Sequence, residues 1–477
     1  MADARLALDA PFSDGAVLQR GLPVTVHGRA APRASVSVTF AGTTKPVRAD
    51  AAGAWQAVFA PQRAATGASI VARSGTQMAQ ANGIAIGDVF LCSGQSNMEF
   101  TMSEATLRPE DRQRGIDGAL HLLSIAHDQA RIPRTTFAQP PTWQSASIAR
   151  SEFSAVCLLA GRELALKSNV QVGLIDSSWG ATAIESWLPP AALVAAGAPA
   201  DEIRTIEAFR SDPVTAEARY GAALDTRWKR PAEKGGRIGY ANLYGAMIAP
   251  LKDFGLAGAL WYQGEANAGR GDSVAAYRAK LAAMLQTWRQ QFRRDLPFVI
   301  IQLANFGPLS NKPDDNAWAR VREAQRQVAA ADPRAALVVT IDVGERLFIH
   351  PPLKLPVAQR SARALAKLTW SDPLDLGPEV RSARQAGSFV NIAVAGGTGS
   401  LMAASWGRPG PFALCSEAAG NNTCAFADAE FADGGIRVAV PAGMTPDRVR
   451  YCYAGAPICN IFDGAGMPLG PFDLAVR

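Results

Sequence analysis

The chain is poor in histidine, in long apolar runs and in clustered positive charge, and each shortage excludes a class of protein. No stretch reaches the roughly 18 apolar residues of a membrane span, so we expect no transmembrane helix. Lysine and arginine are scattered, and the formal net charge is only +6 over 477 residues. Without a basic run to follow a phosphate backbone, nucleic acid is not an expected partner. The four histidines leave few candidates for a general base.

Cysteine is also sparse, and the six residues are unevenly placed. Four of them form two closely spaced pairs near the C-terminus, Cys415 with Cys424 and Cys452 with Cys459. Each pair could close a short loop, which predicts two local disulfides and an oxidising compartment. A zinc site is the competing interpretation, but the spacings are wide and no histidine lies near, so no metal is expected. Cys92 and Cys157 fall in predicted core elements, where we expect small buried hydrophobic side chains.

The opening residues bear on export. Met1 to Ala4 lack the basic region and the apolar core of a signal peptide. The predicted disulfides nevertheless lead us to expect a secreted or periplasmic protein. Its leader would then be absent from this sequence.

Hydropathy patterns predict three domains, as the length also suggests. Residues 1–86 alternate apolar and polar positions between turn signals, which indicates a small β domain. Over 87–372, apolar strands such as 84–92 and 171–176 alternate with amphipathic helices, which predicts a mostly parallel sheet covered on both faces. A stretch over about 190–236, rich in alanine, proline and charge, is interpreted as a helical insertion. Residues 373–477 return to β alternation and form a C-terminal β domain.

The segment LCSGQSNME, residues 91–99, places a serine where a buried strand turns into a helix. Gly94 allows a sharp turn, and Ser96 would stand at the carboxyl edge of the sheet, with backbone amides nearby to stabilise negative charge. A plain turn with a helix cap is the commoner meaning of an isolated G-x-S triplet, so a nucleophilic role depends on the rest of the chain. The α/β-hydrolase elbow is excluded, because it needs G-x-S-x-G and Met98 stands at the second glycine.

Two further strand ends bring candidate groups to the same edge. Gly180 could present a backbone N–H with no side chain in the way, as an oxyanion hole requires, although a simple turn glycine is an equal alternative. After the strand predicted over 257–263, costly polar groups follow apolar residues. There Gln263 offers an amide donor and Glu265 a carboxylate.

His350 is the strongest candidate for a general base. His27 lies in the N-terminal β region, and His121 and His127 precede a loop-rich segment far from any predicted strand end. His350 follows the strand predicted over 336–343, in a loop that prolines stiffen. An ordinary surface-loop histidine is the alternative.

Four ordered segments resemble those of the sialate O-acetylesterase-like branch of the SGNH hydrolases: LCSGQSNME, FSAVCLLAGREL with GLIDSSWGATAIESW, MIAPL with ALWYQGEAN, and IDVGERLFIHPPLK. The opening PFSDGAVLQRGLPVTVHGRA and the closing VRYCYAGAPICNIFDGAGMPLGPF are similar to that family's flanking β regions. The resemblance implies an α/β fold, with a flavodoxin-like three-layer SGNH hydrolase domain built on a parallel sheet and flanked by β-sandwich-like regions. It also implies removal of O-acetyl groups from carbohydrates without a cofactor or metal.

The resemblance also assigns roles. Ser96 would be the nucleophile and His350 the base, while the Ser96 N–H, the Gly180 N–H and the Gln263 side chain would form the oxyanion hole. Gln263 stands where more distant relatives use an asparagine. Three polar residues beside these positions are candidate substrate-binding groups: Glu265, Asn267 and Asn97.

One departure concerns the third member of the catalytic set. Many SGNH enzymes place an acid three residues before the histidine, and that residue here is Leu347. Asp342 at the predicted strand end is the first substitute, ahead of Glu345 in the loop. A main-chain carbonyl, for example that of Leu347, could instead hold the His350 Nδ1–H and ranks level with Asp342.

The expected function is therefore a carbohydrate O-acetylesterase that acts through an acyl-enzyme on acetylated polysaccharide, oligosaccharide or sialate. The alternative is a non-catalytic carbohydrate-binding protein with a relic esterase domain, which only the missing carboxylate at position 347 favours. The sequence determines neither the sugar nor the oligomeric state.

Overall fold

The computed structural model describes residues 5–113, 118–198, 200–227, 241–269, 274–416 and 423–477. Two compact units divide the chain. The first unit comprises residues 1–261 and 279–298, and the second unit comprises residues 262–278 and 299–477.

The strands of the N-terminal region are β1 Ala7–Leu8, β2 Val17–Gln19, β3 Val24–Arg29, β4 Ser35–Phe40, β5 Thr43–Arg48, β6 Ala54–Phe59, β7 Ala65–Ser74 and β8 Gln77–Gly94. Those of the central region are β9 Leu120–Ser124, β10 Gln144–Ser145, β11 Val172–Ser178, β12 Gly258–Tyr262, β13 Phe298–Ile301 and β14 Ala335–Val338. Those of the C-terminal region are β15 Glu379–Ala386, β16 Phe389–Ala395, β17 Met402–Ala403, β18 Phe412–Ser416, β19 Thr423–Ala427, β20 Ala429–Ala432, β21 Gly435–Ala439, β22 Arg448–Tyr451, β23 Ile461–Phe462 and β24 Phe472–Ala475.

The α-helices are α1 Ser96–Glu99, α2 Pro109–Gln113, α3 Ala146–Ala149, α4 Ala155–Ser168, α5 Pro190–Ala195, α6 Ala200–Ser211, α7 Pro213–Arg227, α8 Glu265–Ala268, α9 Tyr277–Gln291, α10 Ala317–Ala331 and α11 Leu355–Trp370. The insertion predicted over about 190–236 is helical as far as Arg227, and its remainder lies outside the described residues. Within the described chain, no helix is both long and apolar enough to cross a membrane.

The main sheet of the first unit has the strand order β10-β9-β11-β8-β12. β11 runs parallel to both β8 and β9, whereas the short β10 is antiparallel to β9, so the sheet is mixed. α4 packs against β11. The Ser154 hydroxyl caps this helix by accepting a hydrogen bond from the Cys157 N–H at 3.2 Å. Parallel strands joined through helices are what the central sequence pattern predicted.

β8 connects the N-terminal β region to this sheet without a break. Its first part is antiparallel to β7, and its last part pairs in parallel with β11 from Asp88 to Gly94. β7 also pairs with β4, so the N-terminal strands continue directly into the main sheet. The domain boundary expected after residue 86 therefore falls inside a continuous strand.

The second unit combines β13, β14, α10 and α11 with the C-terminal strands. α10 and α11 both pack against β14. The C-terminal strands form two four-stranded antiparallel sheets, β15-β16-β21-β20 and β19-β18-β22-β24. Both sheets contribute to one apolar core, which includes Val390, Ile436, Leu414, Val449 and Phe472. A core shared by the facing sides of two sheets is the expected arrangement of a sandwich-like region.

All six cysteines lie in the described ranges, and they form three disulfides. Two of them join Cys415 to Cys424 and Cys452 to Cys459, the local pairs expected from the sequence. The third corrects an expectation, because Cys92 and Cys157 are bonded to each other rather than being separate buried thiols. Cys92 lies on β8 and Cys157 on α4, and the pairing of β8 with β11 beneath α4 brings these two elements together.

The Cys92–Cys157 bridge should contribute more to stability than either local bridge, because it closes a much longer loop. Its cysteines are 65 residues apart, against 9 for Cys415 and Cys424. The chain-entropy relation gives about 4 kcal/mol for the long loop and below about 3 kcal/mol for the short one. Urea unfolding of the two double cysteine-to-alanine variants should reproduce this order. A larger loss in the Cys415/Cys424 variant would contradict it.

Candidate active site

Ser96 lies where the sequence places it, just after the end of β8. Gly94 has φ 144°, which favours glycine, and this turn leads through Gln95 into α1, whose first residue is Ser96. The side chain of Ser96 is only half-buried, although its neighbours Gln95 and Asn97 are buried. Because α1 has four residues, local N–H groups rather than a helix dipole are the available electrostatic support.

Gly180 is adjacent to Ser96. β8 and β11 pair with Gly94 opposite Ser178, and the Trp179 N–H donates to the Gly94 carbonyl at 3.1 Å. A Cβ built on Gly180 would lie 3.3 Å from the Cβ of Ser96. The parallel register therefore brings together two of the predicted site residues, and glycine leaves the space beside the serine open.

The Gly180 N–H is occupied in this structure by the side chain of Glu99. It donates to Glu99 Oε2 at 2.5 Å. The other carboxylate oxygen, Oε1, lies 3.1 Å from His127 Nε2. The backbone N–H predicted to bind an oxyanion thus already binds a carboxylate oxygen next to Ser96.

His127 corrects the sequence interpretation, which set it aside as remote from any strand end. β9 ends at Ser124 and runs parallel to β11, so His127 follows a strand end on the same edge as Ser178. Its Nε2 lies 3.2 Å from the Ser178 carbonyl oxygen, and its ring stacks on Trp179 at 4.4 Å between centroids. Recognising β9 as a strand would have placed His127 at a strand end, but β9 is short and the sequence pattern did not reveal it.

Asp176, near the end of β11, adds a half-buried acid to this group. Burial raises the pKa of its carboxyl to about 7, partly offset by a hydrogen bond from the Ser178 hydroxyl at 2.6 Å. The negative charge of Glu99 raises this pKa further, and His127 lowers it. The acid is therefore largely protonated below neutral pH.

In the second unit, Gln263 is fully buried and firmly held. Its Nε2 donates to Asn267 Oδ1 at 2.7 Å, and its Oε1 accepts from the Tyr277 hydroxyl at 3.1 Å. The main-chain oxygen of Gln263 accepts from Tyr277 at 2.9 Å and from Gln325 Nε2 at 2.9 Å. Because Nε2 carries two hydrogens and Asn267 takes one, this network fixes the orientation of the amide.

Burial changes the interpretation of the residues expected to bind substrate. Asn97, Glu265 and Asn267 are 2%, 5% and 0% exposed, which leaves little surface for a sugar. Asn267 instead orients the Gln263 amide. Residues of this kind act by holding other side chains in place.

Asp342 does not hold His350 in this structure, contrary to the expectation. β14 ends at Val338, so Asp342 lies in a turn beyond the strand rather than at its end. Its two oxygens bind Arg360 on α11, at 2.7 Å to Nη1 and 2.6 Å to Nη2. Among the contacts of Asp342 in the described chain, none reaches His350. The ion pair ties this turn to α11.

The loop that follows Asp342 carries the other three residues considered for the site, Glu345, Leu347 and His350. Glu345 is exposed, and its main-chain oxygen accepts from the Phe348 N–H at 2.9 Å. Leu347 is 78% exposed, and His350 is half-buried at the end of the loop. Over the described ranges, no group of three or more histidine, cysteine, aspartate or glutamate residues could hold a metal ion.

Replacing Gly180 by alanine should reduce hydrolysis of an activated acetate ester by at least about tenfold, because the donor beside Ser96 would be crowded. The new Cβ would approach Glu99 Oε2 to 2.7 Å. Gly118→Ala is a matched control, because nothing lies within 4 Å of its Cβ position. If both variants were as active as the wild type, Gly180 would have no role in the site.

Asp176 should make stability depend on pH in a defined direction. The folded chain holds the proton up to about pH 7, whereas the unfolded acid loses it at its ordinary value of 3.8. This contribution to the free energy of unfolding is complete below that ordinary value and is lost as pH rises through about 7. Asp176→Asn should therefore gain stability relative to wild type between pH 4 and about pH 7 in urea titrations. Parallel curves for the two proteins would contradict the assignment.

Sequence comparisons identify related proteins. A family model described as "Carbohydrate esterase, sialic acid-specific acetylesterase" matches residues 213–363. A sialate O-acetylesterase from Homo sapiens is 30% identical over 327 residues, which are 61% of this chain and 56% of that protein. One from Mus musculus is 27% identical over 391 residues, 73% of this chain and 72% of that protein. The matched region spans little more than half the length of the human relative.

A solved structure covers nearly the whole chain. A carbohydrate acetylesterase from Xanthomonas citri superposes with a TM-score of 0.82 at 28% sequence identity, covering 98% of this chain and 99% of that one. The similarity therefore includes the α/β region and the extra β regions. In sequence and in fold, the chain is thus similar to sialate O-acetylesterases and to a carbohydrate acetylesterase.

Proposed function

We propose that the chain is a serine esterase that removes O-acetyl groups from carbohydrates through an acyl-enzyme on Ser96. The observation that carries the proposal is the half-buried Ser96 at the end of β8, with Gly180 beside it. The names of the relatives, sialate O-acetylesterase and carbohydrate acetylesterase, support the ester and the substrate class.

The chemistry proceeds in two half-reactions. Ser96 Oγ attacks the acetyl carbonyl while His350 takes its proton, and the sugar hydroxyl then leaves with that proton. Water repeats the sequence on the acyl-enzyme and releases acetate. The oxyanion of each tetrahedral intermediate is stabilised by the N–H groups of Ser96 and Gly180 and by the Gln263 amide.

Glu99 imposes a condition on this scheme. A single N–H makes one strong hydrogen bond, so the Gly180 donor has to exchange Glu99 Oε2 for the substrate oxygen. His127, 3.1 Å from the other carboxylate oxygen, is the partner that can retain Glu99 after this exchange. The resting enzyme thus holds an anion of its own where a negative charge develops in the reaction.

We place the third catalytic role on the main chain. Arg360 binds both oxygens of Asp342 and Glu345 is exposed, which supports a carbonyl of the His350 loop, for example that of Leu347, as the group that fixes the imidazole tautomer. The enzyme is then a Ser–His dyad with a main-chain support.

Three further expectations, on compartment, architecture and substrate, are part of the proposal. The disulfides fit an oxidising compartment, either periplasmic or extracellular. The flavodoxin-like three-layer arrangement and the flanking β regions complete the proposed architecture. Acetylated polysaccharide, oligosaccharide and sialate are all retained as substrate classes.

Ser96→Ala and His350→Ala should each abolish most hydrolysis of an activated acetate ester, and the double variant should be little worse, because the two residues act as one unit. Acetate release from acetylated glycans should disappear in parallel. If the activity losses of the two single variants were additive in the double variant, the dyad would be contradicted. Wild-type protein without turnover, but with glycan affinity, would establish the non-catalytic binding protein instead.

Asp342→Asn should lower kcat by less than about tenfold, far below the roughly 10⁴ expected when a true triad acid is lost. It should reduce stability, because one charge of a bidentate pair with Arg360 disappears. Steady-state kinetics and thermal unfolding measured together separate these effects. A fall near 10⁴ at unchanged stability would restore Asp342 to the catalytic set.

A further inference from the structure

A cavity of about 630 Å³ lies wholly within the second unit, and none of the candidate active-site residues lines it. Its walls come from the segment after β13, from the turn that precedes β18, from β19, and from the loop after β22. The volume is within the range of small-molecule sites in proteins.

Large apolar side chains stand exposed around this cavity. Trp406 is 68% exposed, Phe426 48% and Ile458 51%. A single exposed hydrophobic residue needs no explanation, but several around one concavity indicate a binding surface. Aromatic rings offer a flat apolar face at low conformational cost, which suits a ligand with flat apolar faces of its own.

Polar groups of both signs complete the lining. Arg408 and Asp428 form an exposed ion pair at 3.7 Å. Arg450 lies over the Tyr453 ring at 4.6 Å, and its charge is offset by Asp473 at 3.1 Å. The cavity therefore offers hydrogen-bond donors and acceptors without a marked excess of either charge, which favours a neutral ligand over an anionic one.

One wall is rigidly built. The loop after β22 is closed by the Cys452–Cys459 disulfide. The carbonyls of Ala454 and Gly455 accept from Arg322 at 2.6 and 2.7 Å, and the Pro457 carbonyl accepts from Asn305 Nδ2 at 3.1 Å. A wall fixed before binding reduces the ordering cost of a ligand.

Arg322 is the centre of this support. It is only 1% exposed, and burial lowers the pKa of its guanidinium to about 9. It also donates to the carbonyls of Leu303 and Ala304, at 2.8 and 2.7 Å, in the segment that follows β13. A buried cation that binds four carbonyls holds this segment and the cavity wall in one fixed relation.

We propose that this cavity is a second carbohydrate-binding site, for an uncharged stretch of the glycan that carries the acetyl groups. Sugar rings have apolar C–H faces that stack on Trp406 and Phe426, and hydroxyl edges that reach Arg408 and Asp428. The inference rests on the proposed function for the class of ligand, but it makes no use of the catalytic residues.

The test is binding of xylohexaose, cellohexaose and mannohexaose to the full chain carrying Ser96→Ala, measured by calorimetry and by tryptophan fluorescence. At least one of these neutral oligosaccharides should bind saturably. Adding Trp406→Ala or Phe426→Ala should weaken that binding by at least about tenfold. Phe431→Ala, an exposed phenylalanine outside the cavity, is the matched control and should bind normally. Near-UV circular dichroism verifies that each variant is folded.

The outcomes separate the two proposals. Activated-ester hydrolysis by Trp406→Ala and Phe426→Ala, in the presence of Ser96, should equal that of wild type. Absence of binding to all three oligosaccharides, or binding that neither aromatic substitution weakens, would overturn the second site. Tighter binding of a sialylated oligosaccharide through Trp406 would overturn the neutral class. If the wild-type protein did not hydrolyse the ester but still bound an oligosaccharide through Trp406, the second site would be supported and the esterase function contradicted.

Discussion

The first half of the site depends on the parallel pairing of β8 with β11. Gly94 faces Ser178 in this register, so the two chains leave the sheet side by side and bring Ser96 next to Gly180. A shift by one residue would turn each side chain to the opposite face of the sheet. The Cys92–Cys157 bridge fastens β8 to α4, just before the turn that carries the serine. The position of Ser96 is thus a property of the central sheet.

The electrostatics beside Ser96 show what this edge is suited to bind. Glu99 places a carboxylate oxygen on the Gly180 N–H, and His127 lies against the other oxygen. Asp176 lies half-buried near this pair, and its raised pKa favours the neutral acid below about pH 7. An N–H donor that binds an internal anion at rest is suited to the oxygen of a tetrahedral intermediate, provided that the anion can move aside.

Local signals in the sequence predicted the α/β alternation, the turn at Gly94, the place of Ser96 and the two short disulfides. The features that the sequence did not predict depend on packing between segments that are far apart along the chain. Cys92 and Cys157 are 65 residues apart, and only the position of α4 over the sheet brings them together. The apolar pattern predicts that Asp342 ends a strand, but β14 stops at Val338, and Arg360 on the following helix binds the carboxylate. His127 was missed because β9 is short and its parallel partner β11 lies far along the chain.

Covalent labelling tests the central claim, that Ser96 is the nucleophile, most directly. A fluorophosphonate probe reacts with activated serine hydroxyls, and mass spectrometry of the digested protein locates the adduct. We predict one adduct, on the peptide that contains Ser96, together with complete loss of ester hydrolysis. The same peptide should remain unmodified in His350→Ala, which lacks the base. An adduct on another residue, or hydrolysis that persists after Ser96 is fully labelled, would contradict the account.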